Sequence, residues 1–234
     1  MVLGTKERIT AHRLFSTERF IRSTLPVLYI SGRRDFQGTN QFLSDDAYGH
    51  LCTRTGALWT PQGYSFDGAD DKIKNSTANW RSSDESGTLI VWAKETVGGT
   101  IFASCDEATN NYQWGVHIDT NVQLFATIGG TVNSVSGHTT VNNGLWHCVV
   151  ARSNGSVWTL FVDNIAQTLT LQFGVNNGQW LADVANRDNF TIGSRDRLNP
   201  LYYTGDIGEF RYYSRALTYL EIQQVFLTTK WRYS

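Results

Sequence analysis

Apolar residues in this chain recur at every second position over short runs, and polar or glycine-rich clusters separate the runs. That spacing is the mark of strands with one buried face. The clearest case is the stretch from Gly144 to Asn164, Gly-Leu-Trp-His-Cys-Val-Val-Ala-Arg-Ser-Asn-Gly-Ser-Val-Trp-Thr-Leu-Phe-Val-Asp-Asn. Asn154-Gly155 reads as a two-residue hairpin turn, because this dipeptide readily takes positive φ. Such a turn pairs Ala151 with Trp158, Val149 with Leu160 and His147 with Val162 on one face. It pairs Val150 with Thr159, Cys148 with Phe161 and Trp146 with Asp163 on the other. The first face is almost wholly apolar and is expected to point into a core, with His147 at its edge and its polar end satisfied. The second is mixed, and a shallow groove is expected over it.

Further strands are predicted at 27–30, 51–55, 88–94, 100–105, 112–119, 122–128, 131–136, 166–173, 190–193 and 203–213, with an extended run over 64–73. The one convincing helix is C-terminal. Thr218-Tyr219-Leu220-Glu221 has capping-box spacing, and Leu217, Leu220, Val225 and Phe226 would share its apolar face. The pattern predicts an all-β fold. Composition agrees, since three prolines, 21 glycines and a 13% aromatic share in 234 residues suit strands and tight turns. That length can bury the core of one all-β domain.

Charge divides the chain in two. Residues 1–25 hold Lys6, Arg8, Arg13, Arg19 and Arg22 against Glu7 and Glu18, a net of +3, which leaves −4 for the remainder of a chain whose formal charge is −1. We therefore read residues 1–25 as a basic arm and 26–234 as the domain. The near-neutral total excludes a globally basic nucleic-acid binder. No run approaches the ~18 apolar residues of a membrane span. Arginines interrupt every candidate secretory core after Met1, so the start is read as unprocessed. Cys52, Cys105 and Cys148 are odd in number and lack a CxxC pair, which predicts three reduced thiols.

Four segments then stand out in order. They are the Asp46-to-Trp59 run with Gly49 and Gly56-Ala57, and the box Phe66-Asp67-Gly68-Ala69-Asp70-Asp71. Gly144-Leu145-Trp146-His147 with Leu160-Phe161-Val162-Asp163 comes third, and the run Gly205 to Leu217 fourth. Together they resemble the laminin-G-like branch of the concanavalin A-like lectin/glucanase superfamily across residues 26–226. The resemblance implies a two-sheet antiparallel jelly-roll sandwich with a short C-terminal helix. It implies fold more firmly than function, since the fold hosts lectins, glycosidases, adhesion modules and virion proteins. Relatives carry an aspartate after the isoleucine of the last segment, which in glucanases helps to hold a structural calcium; here that position is Gly208. Asp67, Asp70 and Asp71 could offer oxygen ligands to calcium, or serve as turn residues. No other cofactor is expected.

Glycoside hydrolysis on such a fold needs carboxylates two or three residues apart on one strand, and the glucanase pattern Glu-x-Asp-x-x-Glu is missing. Asp84-Glu85 and Asp106-Glu107 are adjacent pairs, read as solvated loop charge. A lyase would draw on His117, His138, His147, Tyr112 or Arg152, but no spacing selects among them. Zinc spacing, a nucleophile elbow and a phosphate loop are also missing, so no catalytic residue is assigned. Sugars lay their C–H faces on aromatic rings while Asn and Arg contact their hydroxyls. Asn110, Tyr112, Trp114, Trp180, Arg195 and Tyr202 are therefore the candidate glycan-binding residues, with core packing the competing role for each tryptophan. Tyr203 is assigned to packing.

These readings converge on a non-enzymatic jelly-roll module at a virion surface or outside cells, as a phage head-decoration or fibre component. Its arm, through Arg8, Arg13, Phe15, Arg19, Phe20 and Arg22, would dock on other virion or assembly subunits, and a cell-surface glycan would be its ligand. A homo-oligomer fits this reading; a nucleic-acid or membrane partner does not. The alternatives are a cellular carbohydrate-binding module or lectin and, less favoured, a glycan lyase or glycosidase.

Overall fold

The structure, a computed structural model, describes residues 25–32, 40–75 and 80–234, with Thr96 described through its backbone only. The arm residues Arg8, Arg13, Phe15, Arg19, Phe20 and Arg22 lie outside the described residues. Strands run in chain order as β1 (Leu28–Ile30), β2 (Gln41–Leu43), β3 (Leu51–Thr55), β4 (Leu58–Thr60), β5 (Gly63–Asp67) and β6 (Lys72–Asn75). The long β7 (Gly87–Cys105) follows, then β8 (Tyr112–Ile118), β9 (Asn121–Ile128), β10 (Thr131–Thr140), β11 (Trp146–Ser153) and β12 (Trp158–Val162). After β13 (Ile165–Ala166), β14 (Thr170–Phe173) and β15 (Phe190–Ile192) comes a small hairpin, β16 (Ser194–Arg195) with β17 (Leu201–Tyr202). Strand β18 (Thr204–Tyr213) and helix α1 (Tyr219–Thr229) complete the order.

The strands form two antiparallel layers, as expected. The first runs β13-β12-β11-β7-β18-β5-β4, with β1 beside the second half of β18. The second runs β14-β10-β9-β8-β7-β15-β6-β3-β2. Strand β7 belongs to both. Its first half pairs with β11 and β18, its second with β8 and β15. The partner change falls at Gly98-Gly99, with φ +107° and +148°. A Cβ on Gly99 would lie 2.5 Å from the Tyr203 Cα, so glycine is needed where the strand crosses between layers. Reading 88–94 and 100–105 as separate strands mistook this bend for a turn.

The β11–β12 pairing is displaced by two residues from the expected register. Ser153 faces Trp158, Ala151 faces Leu160 and Val149 faces Val162. Four residues make the turn, because the Asn154 side-chain oxygen accepts the N–H groups of both Ser156 and Val157 at 3.0 Å. A slip of two leaves each side chain on its expected face, where a slip of one would have reversed them all. Val149, Ala151, Trp158, Leu160 and Val162 accordingly lie in the main core between the layers. The indole N–H of Trp180 there donates to the Tyr212 hydroxyl at 2.9 Å. That hydroxyl donates to Asp84, which Arg81 grips with two bonds of 2.7 Å. The polar tips of Trp180, Tyr212 and Asp84 thus all have partners inside this core.

The outer face of the first layer is not a groove, which corrects the expectation. Cys148, Val150 and Phe161 pack with Ile90, Trp92, Tyr213, Leu217, Ile222 and Tyr233 in a second apolar cluster beneath α1. The helix starts where predicted, since Thr218 and Glu221 close a capping box and Arg215 clasps the Glu221 carboxylate. Its buried side carries Ile222 with Val225 and Phe226, whereas Leu220 faces solvent. His147 is held as expected, 2.7 Å from Asp163 and 3.1 Å from Asn143. All three cysteines are buried free thiols, and burial pushes Cys52 and Cys105 up to about 12.

Candidate ligand-binding groove

The outer face of the second layer is open. Strands β8, β9, β10 and β14 place alternate residues there, among them Gln113, His117, Gln123, Thr127, Ser134 and Phe173, and the 195–201 segment forms a wall. The groove holds about 440 Å³. At its floor the Phe125 ring lies against Gly115, where any Cβ would sit 2.7 Å from that ring. The Arg195 guanidinium stands 5.0 Å over the ring, so Phe125 is covered. Phe173, 65% exposed, is the aromatic ring left accessible at the rim.

Polar groups around the floor are partly satisfied. The Gln113 amide donates to the Thr127 hydroxyl at 2.9 Å, while its oxygen is buried without a partner. His117 sits 3.2 Å from the Thr100 hydroxyl; burial, and then the charge of Arg195, lower it to about 4. It is therefore a neutral imidazole at pH 7. Arg195 and Arg197 both line the groove, whereas Asp196 between them turns away to Lys72 at 3.0 Å and Lys74 at 3.2 Å. Desolvation, followed by the charge of Arg197, lowers Arg195 to about 10. The hairpin is tied down by Asn199 N–H donating to the Asn110 side chain at 3.3 Å.

Two of the six predicted glycan residues, Asn110 and Arg195, line this groove. Trp114 and Trp180 do not. Both are wholly buried, their rings 4.1 Å apart in the main core, because even-numbered positions of β8 face inward. Trp180 fills the space above Gly87, where a Cβ would meet its indole at 2.2 Å. Tyr112 packs half-buried against the same core. Tyr202 pairs with Ser194, so it points to the side of the hairpin opposite Arg195 and Leu201. Sequence reasoning missed Phe173 and Gln123, and left Arg197 out of the candidate set although it lies on the same hairpin as Arg195. The usable signal was the run of polar residues at alternate positions in β8 and β9.

Of the adjacent acids, Glu85 is exposed as expected, but Asp84, Asp106 and Glu107 have structural duties. Asp84 is buried with Arg81 and Tyr212, and Asp106 is buried and accepts the Ala108 N–H at 2.9 Å. Glu107 engages Lys74 and the Asn189 amide. The ligand atoms of Asp67, Asp70 and Asp71 lie within 4.8 Å of one another. Asp71 accepts the Asp67 N–H and Asp67 the Ala69 N–H, each at 2.8 Å, which are turn bonds. Gly208 cannot host the aspartate of relatives, since a Cβ would lie 2.5 Å from the Tyr233 ring, and Asp206 instead faces Lys94 at 3.5 Å. The family's calcium does not fit at this position.

A laminin-G-type family model, described as the concanavalin A-like lectin/glucanases superfamily, matches residues 67–223. The chain belongs to that superfamily. Among solved structures it is similar to a botulinum neurotoxin type C, which depends on interaction with two ganglioside molecules to get into cells. The TM-score is 0.65 at 14% identity, covering 90% of this chain and 53% of the toxin chain. The botulinum neurotoxin serotype D binding domain gives 0.62 at 13%, covering 88% and 52%. The carbohydrate-binding module CBM40 of the Ruminococcus gnavus IT-sialidase gives 0.51 at 15%, covering 63% and 84%. The chain spans about half the length of the toxin chains it matches. At these identities the likeness shows the superfamily's jelly-roll fold. No curated protein sequence matches the chain.

Proposed function

We propose that this protein is a non-catalytic glycan-binding module that uses the groove over β8, β9, β10 and β14. The observation that carries the reading is a face of amide, hydroxyl and guanidinium groups beside one exposed aromatic ring, Phe173, on a lectin-type sandwich. The described groove lining offers no Asp or Glu, the residue types that glycoside hydrolysis uses as acid and nucleophile. Structurally similar proteins are described as ganglioside-dependent or carbohydrate-binding, which supports the same reading. A glycan array probed with the full chain tests it. Binding that disappears with Phe173→Ala or Gln123→Ala supports the proposal, and a blank array overturns it.

The finer reading is a component of a phage-like virion surface docked through residues 1–25. It rests on the contrast of +3 in the arm against −4 in the domain. Deleting residues 1–25 is expected to leave the melting temperature unchanged and to abolish particle association. A fall of several degrees would mean that the arm belongs to the sandwich instead. The similarity to a sialidase carbohydrate-binding module favours the second reading, a cellular lectin-type module.

A further inference from the structure

The groove holds positive charge that nothing on its own walls balances. Arg195 and Arg197 project to the same side of the hairpin, as alternate residues of an extended segment do. Their Nε groups are buried without a hydrogen-bond partner, and neither arginine has an ion pair among the described residues. The nearby acids are committed elsewhere, Asp196 to Lys72 and Lys74, and Glu107 to Lys74 and Asn189. Two partly buried guanidinium groups facing one space repel each other and have lost part of their hydration. An anion placed between them relieves both costs, and planar guanidinium groups match a carboxylate with paired N–H bonds.

A second, independent group points to more than a bare anion. Gln113 is 4% exposed at the groove floor, and its side-chain oxygen lies beneath that surface with no donor. A buried acceptor in that state loses stability until an O–H or N–H reaches it. Cations on one wall, an unsatisfied acceptor beneath the floor and the exposed ring of Phe173 at the rim describe one kind of molecule. It has an acidic group, hydroxyls and an apolar C–H face.

Taking the glycan-binding reading as given, we propose that the groove selects acidic sugars, with the sugar carboxylate held by Arg195 and Arg197 beside the exposed ring of Phe173. Sialic and uronic acids share this chemistry, so the test uses matched pairs for each. Calorimetric titration of the full chain would compare sialyllactose with lactose, and an oligogalacturonate with its carboxyl-reduced counterpart.

In at least one pair the acidic member is expected to bind about tenfold more tightly or better. Arg197→Gln should cut that preference to about twofold, by weakening the acidic sugar more than the neutral one. Arg195→Lys, which keeps the cation but not the fork, should retain only part of it. Raising salt from about 0.05 M to about 0.5 M should weaken the acidic sugar selectively. Melting curves would confirm that both variants fold. Acidic and neutral sugars bound alike, or a preference intact in Arg197→Gln, would overturn the inference and leave the glycan reading standing. No binding of any of the four by the folded wild-type chain would also overturn this inference, and the glycan array would then decide the glycan reading by itself.

Discussion

The two layers of this sandwich turn opposite kinds of outer face to the world, although both are built by the same alternation of side chains. On the first layer Trp92, Cys148, Val150 and Phe161 are roofed by α1 and the residues after it. Trp92 stacks on Tyr233 at 4.5 Å, its indole N–H donates to the Thr229 hydroxyl, and the Tyr233 hydroxyl accepts the Glu209 N–H. Glu209 in turn holds Arg211 and Arg232. On the second layer no described residue roofs the outer face, and its floor keeps an unpaired amide oxygen and two arginines without acids among the described residues. The network on the closed face answers its polar groups apart from Arg232 Nη2, whereas the open face leaves an amide oxygen and the Nε groups of two arginines without partners. The difference separates a face sealed by its own helix from one that the described residues leave open.

The comparison breaks first if the roofed face does not behave as core. Trp92→Ala is expected to cost about 3–5 kcal/mol in chemical denaturation, as for a buried tryptophan elsewhere. A cost below about 1 kcal/mol would make α1 an ornament on the sandwich.

A buried carboxyl group without a partner sharpens the contrast with the unpaired arginines of the open groove. Glu95 is 2% exposed with neither carboxylate oxygen bonded, and burial, then Asp119, raises it from 4.5 to about 8. Because the folded form keeps the proton at higher pH than the unfolded form, stability should fall as pH rises from about 4.5 to about 8 and level off above that. Glu95→Gln should flatten this slope and stabilise the protein by on the order of 3 kcal/mol at pH 8. Equal pH profiles for the two proteins would refute the assignment.

Smaller effects follow at the edges of each face. Gly208→Asp drives a side chain into the Tyr233 ring and should cost about 1–3 kcal/mol, with added calcium giving no recovery. Phe173→Ala should change stability by less than about 0.5 kcal/mol yet weaken glycan binding, as expected of a ring that serves a ligand rather than the fold.

Much of this fold was legible because strand alternation and turn dipeptides are local signals. Strand β3 was placed to the residue, and the faces of β11 and β12 survived a register error because two is the period of the strand. The continuity of β7 was hidden, since Gly98-Gly99 reads the same whether the chain reverses or only bends. The groove was harder. Its residues come from β8, β9, β10, β14 and the 195–201 hairpin, and only the pairing of distant strands brings them together. Tryptophan was a misleading guide, because in Trp114 and Trp180 size favoured the interior over sugar stacking. Arg195 was found by its polarity and its loop setting, while Arg197 was passed over although it shares Arg195's side of the hairpin.

Strand β7 has a consequence for how the molecule comes apart. One uninterrupted segment is hydrogen-bonded into both layers, so neither layer can be released without stripping the other of a central strand. The sandwich should open as a single cooperative unit, with the amides of residues 88–94 and 100–105 exchanging with solvent only through global unfolding. The edge strands β2, β4 and β13 can fray well before that. A domain with no seam between its layers can present a groove at one face and bear load at the other without the two separating.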